Sequence, residues 1–455
     1  MDYEAIDPHS GERIERYDTL GAAELRAALE RSEQAFKSWR RTTFAERAAV
    51  LREAARLLRE EADEHGRLMA REMGKPVGAG RGEAEKCAWV CEYYADLAKG
   101  FLADDLSATD ATRSYVTYRP LGPVLAIMPW NFPYWQVFRF GAPALMAGNT
   151  VLLKHASNVP GCAARIEGLL TEAGLPEGCF QNLYITNRQA GAAIRNRRVR
   201  AVTLTGSVRA GKAVAKQAGA HIKKTVLELG GSDPYIVLAD ADVEHAAAQC
   251  VQSRLVNSGQ SCIAAKRFIV ERDVREPFVE AVVERMRSAV MGNPMDESTE
   301  VGPQAREDLR DSLHDQVKGS VAEGARCLLG GEVPDGPGWY YPPTVLDDVR
   351  RGMPAYREEV FGPVASIITA QDRVRAIEIA NDTSFGLGAA IFTADVDEGE
   401  RIARDELHAG CCFVNAFVRS DPRLPFGGIL DSGYGRELGR HGIHEFVNAK
   451  TVYVA

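Results

Sequence analysis

Residues 201–218 read Ala-Val-Thr-Leu-Thr-Gly-Ser-Val-Arg-Ala-Gly-Lys-Ala-Val-Ala-Lys-Gln-Ala. The first five residues form a short apolar run, long enough for one buried strand and too short for a helix. Gly206 and Ser207 break the run, and from Val208 to Ala218 the apolar residues recur at helical spacing. The segment is therefore predicted to be a strand, a tight turn and a helix. A helix opening there turns free N–H groups toward whatever lies beyond the strand end, a geometry suited to phosphate. The spacing is not GxGxxG, so an ordinary strand–helix turn remains an equal alternative at this point.

The same alternation extends outward. Strands are expected at Tyr115–Arg119, Gly122–Met128, Thr150–Lys154, Thr225–Leu229 and Tyr235–Leu238, with helices such as Ala163–Ala173 between them. A second alternating stretch includes a helix at Val243–Val256, a strand at Arg267–Val270 and a helix at Val274–Met291. It continues through Ala365–Ala370, Val374–Ala380 and Cys412–Asn415. Strands alternating with helices predict parallel sheets covered on both faces. Three amphipathic helices, Ala22–Trp39, Ala45–Met73 and Arg81–Leu106, precede them. The main boundary is expected near Gly230-Gly231. A final strand within Glu445–Val454 suits docking on a neighbouring copy.

Composition narrows the function. The chain has 455 residues, 45% hydrophobic and 26% charged, with a net charge of −8, enough for two or more domains. An acidic balance without basic blocks argues against nucleic acid as a partner. No run approaches the roughly 18 apolar residues of a membrane span, and the charged stretch Met1–Arg16 is not expected to be a signal peptide. Nine cysteines without CxxC or Cys/His metal spacing point to no metal site and to a reducing compartment, the cytoplasm by default.

Cys262, in Asn257-Ser258-Gly259-Gln260-Ser261-Cys262, is the candidate nucleophile. Gly259 supplies backbone freedom before it and the small serines leave room for a substrate. Most single cysteines are buried packing residues, so Cys262 depends on its company. Lys154 ends a strand and Ser157 follows it, where an open α/β sheet binds ligands. Gly433-Tyr434-Gly435-Arg436 looks like a dinucleotide fingerprint, but too little chain follows for a βαβ unit. It reads as an active-site or interface loop.

Six motifs stand in order: Pro129-Trp130-Asn131-Phe132-Pro133, Thr205-Gly206-Ser207, Glu228-Leu229-Gly230-Gly231, Gly259-Gln260-Ser261-Cys262, Glu359-Val360-Phe361-Gly362-Pro363 and Pro425-Phe426-Gly427-Gly428. Together they resemble the aldehyde dehydrogenase superfamily over nearly the whole chain. Lys154–Asn158, Gly206–Gly211 and the short N-terminus are most similar to its compact succinate-semialdehyde dehydrogenase branch. The resemblance implies an α/β fold of two Rossmann-type parallel-sheet domains and a small strand-rich oligomerisation arm. Residues 1–106 and 122–230 would bind dinucleotide, 231–428 would carry the nucleophile, and 107–121 with 429–455 would form the arm of a homodimer or homotetramer.

It also implies the chemistry. Cys262 would attack the aldehyde, Asn131 and the Cys262 N–H would hold the oxyanion, and Glu228 would activate water against the thioester. Ile127, Pro129, Trp130, Lys154, Ser157, Gly206, Ser207, Leu229, Glu359 and Phe361 would bind the cofactor. Relatives that use NAD commonly carry Lys-Pro-Ser-Glu near Lys154, the glutamate holding the ribose 2′-hydroxyl. This chain has Ser157 in that region and no glutamate after it, which implies NADP before NAD.

If a helix begins at Pro133, Trp135 and Arg139 share a face. Arg139 would pair with the distal carboxylate of a short aldehyde acid, assisted by Ser261 and Ser420. Arg139 could instead support a domain or subunit contact. Succinate semialdehyde is the first substrate expectation, and it would place the enzyme in γ-aminobutyrate degradation. The alternatives are a broad-specificity enzyme for short aldehydes, a catalytically silent structural member, and a thiol hydrolase, which lacks a placed histidine.

Overall fold

The computed structural model describes residues 3–455. Two parallel-rich sheets organise the chain. The six-stranded sheet has the order Gly433–Tyr434, Lys224–Glu228, Ala201–Thr205, Pro123–Ile127, Thr150–Lys154, Phe180–Asn182. All its pairings are parallel except the first. The seven-stranded sheet runs Arg326–Leu329, Thr344–Asp347, Val364–Ala370, Arg267–Glu271, Pro234–Val237, Gly388–Phe392, Cys411–Val414. Only its first pair is antiparallel.

Why these runs form strands is visible in their burial. Val124, Ala126, Val151 and Leu153 enter one core, while Leu125, Leu152, Val202 and Leu204 enter another on the opposite face. In the larger sheet Ile236 and Ile269 point one way, Tyr235, Val237, Phe268 and Val270 the other. With both faces covered, the strands read as nearly continuous hydrophobic runs, with polar residues such as Thr203, Lys154 and Arg267 few among them.

The helix Ala22–Trp39 and the strands Thr150–Lys154 and Ala201–Thr205 lie at their expected residues. The single helix expected over Ala45–Met73 is two, Phe44–Glu60 and Ala62–Met73. The chain leaves helical geometry at Glu61, and both pieces pack on the long helix Val77–Phe101. A helix does follow Pro133, but it starts at Trp135. The carboxylate of distant Glu83 accepts the N–H groups of Tyr134 and Trp135 at 2.8 and 2.9 Å, capping it.

A three-stranded antiparallel sheet joins Val447–Val454, Arg113–Pro120 and Asp105–Leu106. Its last strand belongs to residues expected to end the first segment. Two pieces of the expected arm pair elsewhere: Ile429–Leu430 with Phe385–Gly386, and Gly433–Tyr434 with the edge of the six-stranded sheet. The glycine motif at 433 is thus a short strand opposite Glu228. Gly433 has φ +107°, and a Cβ there would stand 2.0 Å from the Leu227 carbonyl oxygen. Among the described residues no helix is long and apolar enough to cross a membrane.

Candidate active site

The carboxyl ends of four adjacent parallel strands supply Ile127, Lys154, Thr205 and Glu228, with Ile127 opposite Lys154 and Thr205 opposite Glu228. Residues expected to hold cofactor therefore share one edge of the six-stranded sheet. Ser207 caps the helix Val208–Gly219, its hydroxyl accepting the Ala210 N–H at 3.3 Å. Leu229 lies over that helix, 2.6 Å from where a Cβ on Gly211 would stand. Its side chain is committed to packing there.

Lys154 is buried, and among the described residues its ammonium donates only to the His155 carbonyl, at 3.3 Å. No carboxylate pairs with it among the described residues, and burial pulls its pKa down to about 8. Nearby Asn158 keeps both side-chain amide atoms buried without a partner among the described residues. A buried cation and an orphaned amide beside half-buried Ser157 suit a phosphorylated ribose. Across the cleft the rings of Trp130 and Phe361 meet edge to face at 5.9 Å. Glu359 accepts the Gly231 N–H at 3.1 Å and lies 3.7 Å from the Lys266 ammonium.

The nucleophile loop is strained. Asn257, Ser258 and Gly259 have φ of 55°, 56° and 76°, three successive left-handed residues. Gly259 has no alternative, because a Cβ would stand 2.2 Å from the Gly362 carbonyl carbon. Buried hydrogen bonds hold the loop. Asn257 donates to the Asn131 and Gln260 carbonyls at 2.7 and 3.1 Å. The Lys266 ammonium donates to the carbonyls of Ser261 and Cys262 at 3.0 and 2.7 Å.

Cys262, half-buried, borders a cavity of about 260 Å³ that also takes in Ser261, Trp135, Arg139 and Ser420. All four expected substrate residues thus share one space with the thiol. Burial pushes the thiol pKa up to about 12, against the pull of Lys266 and Arg139, so the group rests protonated. Asn131 does not cap the helix that follows it. It donates to the Gln260 carbonyl at 3.0 Å and accepts from Gln136 at 3.0 Å, which aligns its amide against the nucleophile loop.

Glu228 is buried but is not part of the cavity wall, and among the described residues neither carboxylate oxygen has a hydrogen-bond partner. Burial, then repulsion from Glu437, holds its carboxyl well above the usual range, with Arg139 and Arg436 opposing. Arg139 is less available than its place in the sequence implies. Its guanidinium is ion-paired with Glu437, stands 4.8 Å from the Phe426 ring and reaches Thr205 at 3.3 Å. Arg139 thus makes an internal contact of the kind the sequence left open beside pairing with a substrate carboxylate, while still bordering the cavity.

Sequence reasoning missed three residues here: Glu437, Lys266 and Lys86. Lys86 borders the cavity and donates to the Ser420 hydroxyl at 2.8 Å. It sits among Glu85, Glu92 and Asp96 in a charged helical pattern, so nothing local marks it as inward.

A strained thiol loop, an amide aligned against it and a glutamate at a neighbouring strand end are the parts of a thiohemiacetal chemistry. The model of the aldehyde dehydrogenase family matches residues 1–452. This chain belongs to that family. It is 49% identical over 450 residues to a probable NADP-dependent succinate-semialdehyde dehydrogenase of Synechocystis sp., covering 99% of each chain. It is also 49% identical to the NADP-dependent succinate-semialdehyde dehydrogenase of Mycobacterium avium, covering 100% of this chain and 97% of that one. Among solved structures, the Streptococcus pyogenes succinic semialdehyde dehydrogenase in complex with NADP+ superposes with a TM-score of 0.97. It is 38% identical, with 99% of each chain covered. The protein is thus an oxidoreductase of aldehydes with the family's α/β fold.

Proposed function

We propose that the protein oxidises succinate semialdehyde to succinate, with NADP+ preferred over NAD+. The observation that carries this reading is the cavity at Cys262, where the aromatic rings of Phe132, Trp135, Phe417 and Phe426 share the wall with lysine, arginine and serine side chains and with Glu83, which is ion-paired to Lys75. Such a wall suits a short aldehyde with a negative far end. The two relatives named above act on that substrate, which supports the same choice.

Cys262 releases its proton to solvent as its sulfur bonds to the aldehyde carbon, placing negative charge on the former carbonyl oxygen. No acceptor takes the Cys262 N–H among the described residues, and Asn131 retains a second amide hydrogen beyond the one given to Gln260. Both donors are available to that oxygen. A nicotinamide held by Glu359 and the Trp130–Phe361 side of the cleft would supply the hydride acceptor for that carbon. Glu228 then takes a proton from the water that attacks the thioester, freeing the acid and restoring the thiol. No hydrogen bond pins the Glu228 oxygens, which suits a side chain that must reach toward the sulfur. The residues that fit the cofactor are Lys154 and Ser157 for the 2′-phosphate, Gly206 and Ser207 at a helix start, and Glu359 for the nicotinamide ribose. Ile127, Pro129, Trp130, Phe361 and Leu229 would shape the cleft.

Residues 1–106 and 122–230 are assigned to dinucleotide binding and 231–428 to catalysis. The terminal strand Val447–Val454 is an edge of its sheet, which supports assembly with further copies as a dimer or tetramer, and a cytoplasmic location is assigned with it. Initial rates of NADPH and NADH formation with succinate semialdehyde, then with propanal, test the proposal. NADPH formation with the acid, absent in Cys262→Ala, is expected. Turnover of propanal alone would replace this reading with a broad-specificity enzyme for uncharged aldehydes, and no reduction of either cofactor would reject it.

A further inference from the structure

Four cationic side chains border the cavity: Lys75, Lys86, Arg139 and Arg419. Two are already neutralised. Lys75 is ion-paired with Glu83, both fully enclosed, and Arg139 is ion-paired with Glu437. Arg419 is exposed at the rim, its guanidinium 6.0 Å from the Phe417 ring. Lys86 differs from all three. It is half-buried, its ammonium stands 4.4 Å from the Trp135 ring, and it donates to the Ser420 hydroxyl at 2.8 Å. Among the described residues no carboxylate forms an ion pair with it.

A cation shielded from water without a counter-ion is costly, and a ligand that brings negative charge relieves that cost. Ser420 is itself buried and, having accepted from Lys86, still has its own O–H to give. The ring of Trp135 fixes where the ammonium sits. Lysine and serine together present two donors in the same enclosed space as the Cys262 thiol.

We infer that Lys86, acting with Ser420, binds the distal carboxylate of the substrate and is the residue that selects an acidic aldehyde over an uncharged one. The inference rests on the succinate semialdehyde reading and assigns its recognition to a different residue from Arg139. Arg139 then serves as the positioning partner of Glu437, and Lys86 supplies the charge that the substrate meets. Both lie on helices that flank the cavity, Lys86 on Val77–Phe101 and Arg139 on Trp135–Ala147.

The test compares succinate semialdehyde with butanal, which has the same four carbons and no charge, in the wild-type enzyme, Lys86→Met, Lys86→Gln and Lys86→Arg. NADP+ binding by fluorescence identifies folded variants. Losing one charge-assisted contact should raise KM for the acid about 10- to 100-fold in Lys86→Met and Lys86→Gln. Butanal kinetics should stay within about twofold of wild type, and Lys86→Arg should recover much of the acid preference. A wild-type preference for the acid that survives in both neutral variants overturns the role of Lys86 and leaves the substrate reading standing. Equal losses with both aldehydes also overturn it, since they mark a structural role. A wild-type enzyme that does not discriminate between the two aldehydes overturns the substrate reading and this inference together.

Discussion

Arg139 and Glu437 form an ion pair inside the molecule, each side chain only 3% exposed. The pair matters more for what it prevents than for its own strength. Removing one partner strands the other's charge away from water, at a cost of about 3–5 kcal/mol, whereas replacing both with apolar groups is often close to neutral. Arg139→Ala is expected to lower the unfolding midpoint sharply, and Arg139→Met combined with Glu437→Leu much less. Denaturant unfolding of the three proteins checks this. Equal midpoints for Arg139→Ala and wild type would show that the pair has no structural weight.

Glu437 also acts on Glu228, whose carboxyl is held well above the ordinary range first by burial and then by that neighbouring charge. A general base works only when ionised, so hydrolysis of the thioester weakens as pH falls through the Glu228 pKa. Glu437→Gln removes the repulsion and leaves the Arg139 charge unpaired, and both changes favour ionised Glu228. The acid limb of kcat is expected to move to lower pH in this variant. A limb that stays in place or moves to higher pH would contradict the coupling.

If Glu228 serves the second half of the reaction and Cys262 the first, the two are separable in time. Glu228→Gln should still form the thioester and release about one NADPH per active site in a rapid burst, then turn over roughly 10²-fold or more slower. Cys262→Ala should show neither phase, its rate down roughly 10⁴-fold or more. Stopped-flow absorbance distinguishes them, and a Glu228→Gln enzyme with full steady-state turnover would remove that residue from the mechanism.

The runs at 150–154 and 201–205 were legible because strands buried on both faces are dominated by apolar residues, with only threonines and the strand-end Lys154 among them. The nucleophile loop was legible as a motif, but the need for glycine at 259 comes from the approach of Gly362, a contact 103 residues away along the chain. Arg139 was placed on its helix face, but its ion-pair partner was not legible, because Glu437 comes from near the C-terminus. Lys86 was invisible for the same reason. Its neighbours in sequence are those of a solvated helix, and only packing against the helix Trp135–Ala147 turns it inward. Local pattern reports which face a residue takes on its own element, and tertiary contacts decide what that face meets.

The cofactor preference can be reversed at one position. Lys154 has no acidic neighbour within ion-pairing distance among the described residues, and Ser157 offers a hydroxyl where a carboxylate would repel phosphate. Ser157→Glu is expected to raise KM for NADP+ about 10- to 100-fold while leaving NAD+ unchanged or improved, since a glutamate can accept from a free 2′-hydroxyl. Rates with each cofactor at saturating aldehyde measure it. Retained NADP+ preference would place the phosphate elsewhere, with exposed Arg209 the next residue to test.

The last expectation concerns pH and follows from the surroundings of Lys86. Burial and then Arg139 pull its pKa down to about 8, while Cys87 and Glu83 on its own helix and Asp421 beside Ser420 pull upward. The ammonium form is present below that value and is lost as pH rises through it. KM for succinate semialdehyde should therefore be low and flat below about pH 8 and then climb, toward about tenfold per pH unit, because the neutral amine offers the carboxylate little. Butanal should show no such climb, since it carries nothing for the charge to hold. Lys86→Arg keeps its charge throughout and should flatten the acid profile. A climb shared by both aldehydes would point to the cofactor site or the thiol instead, and a climb that persists in Lys86→Arg would assign it to a group other than this lysine.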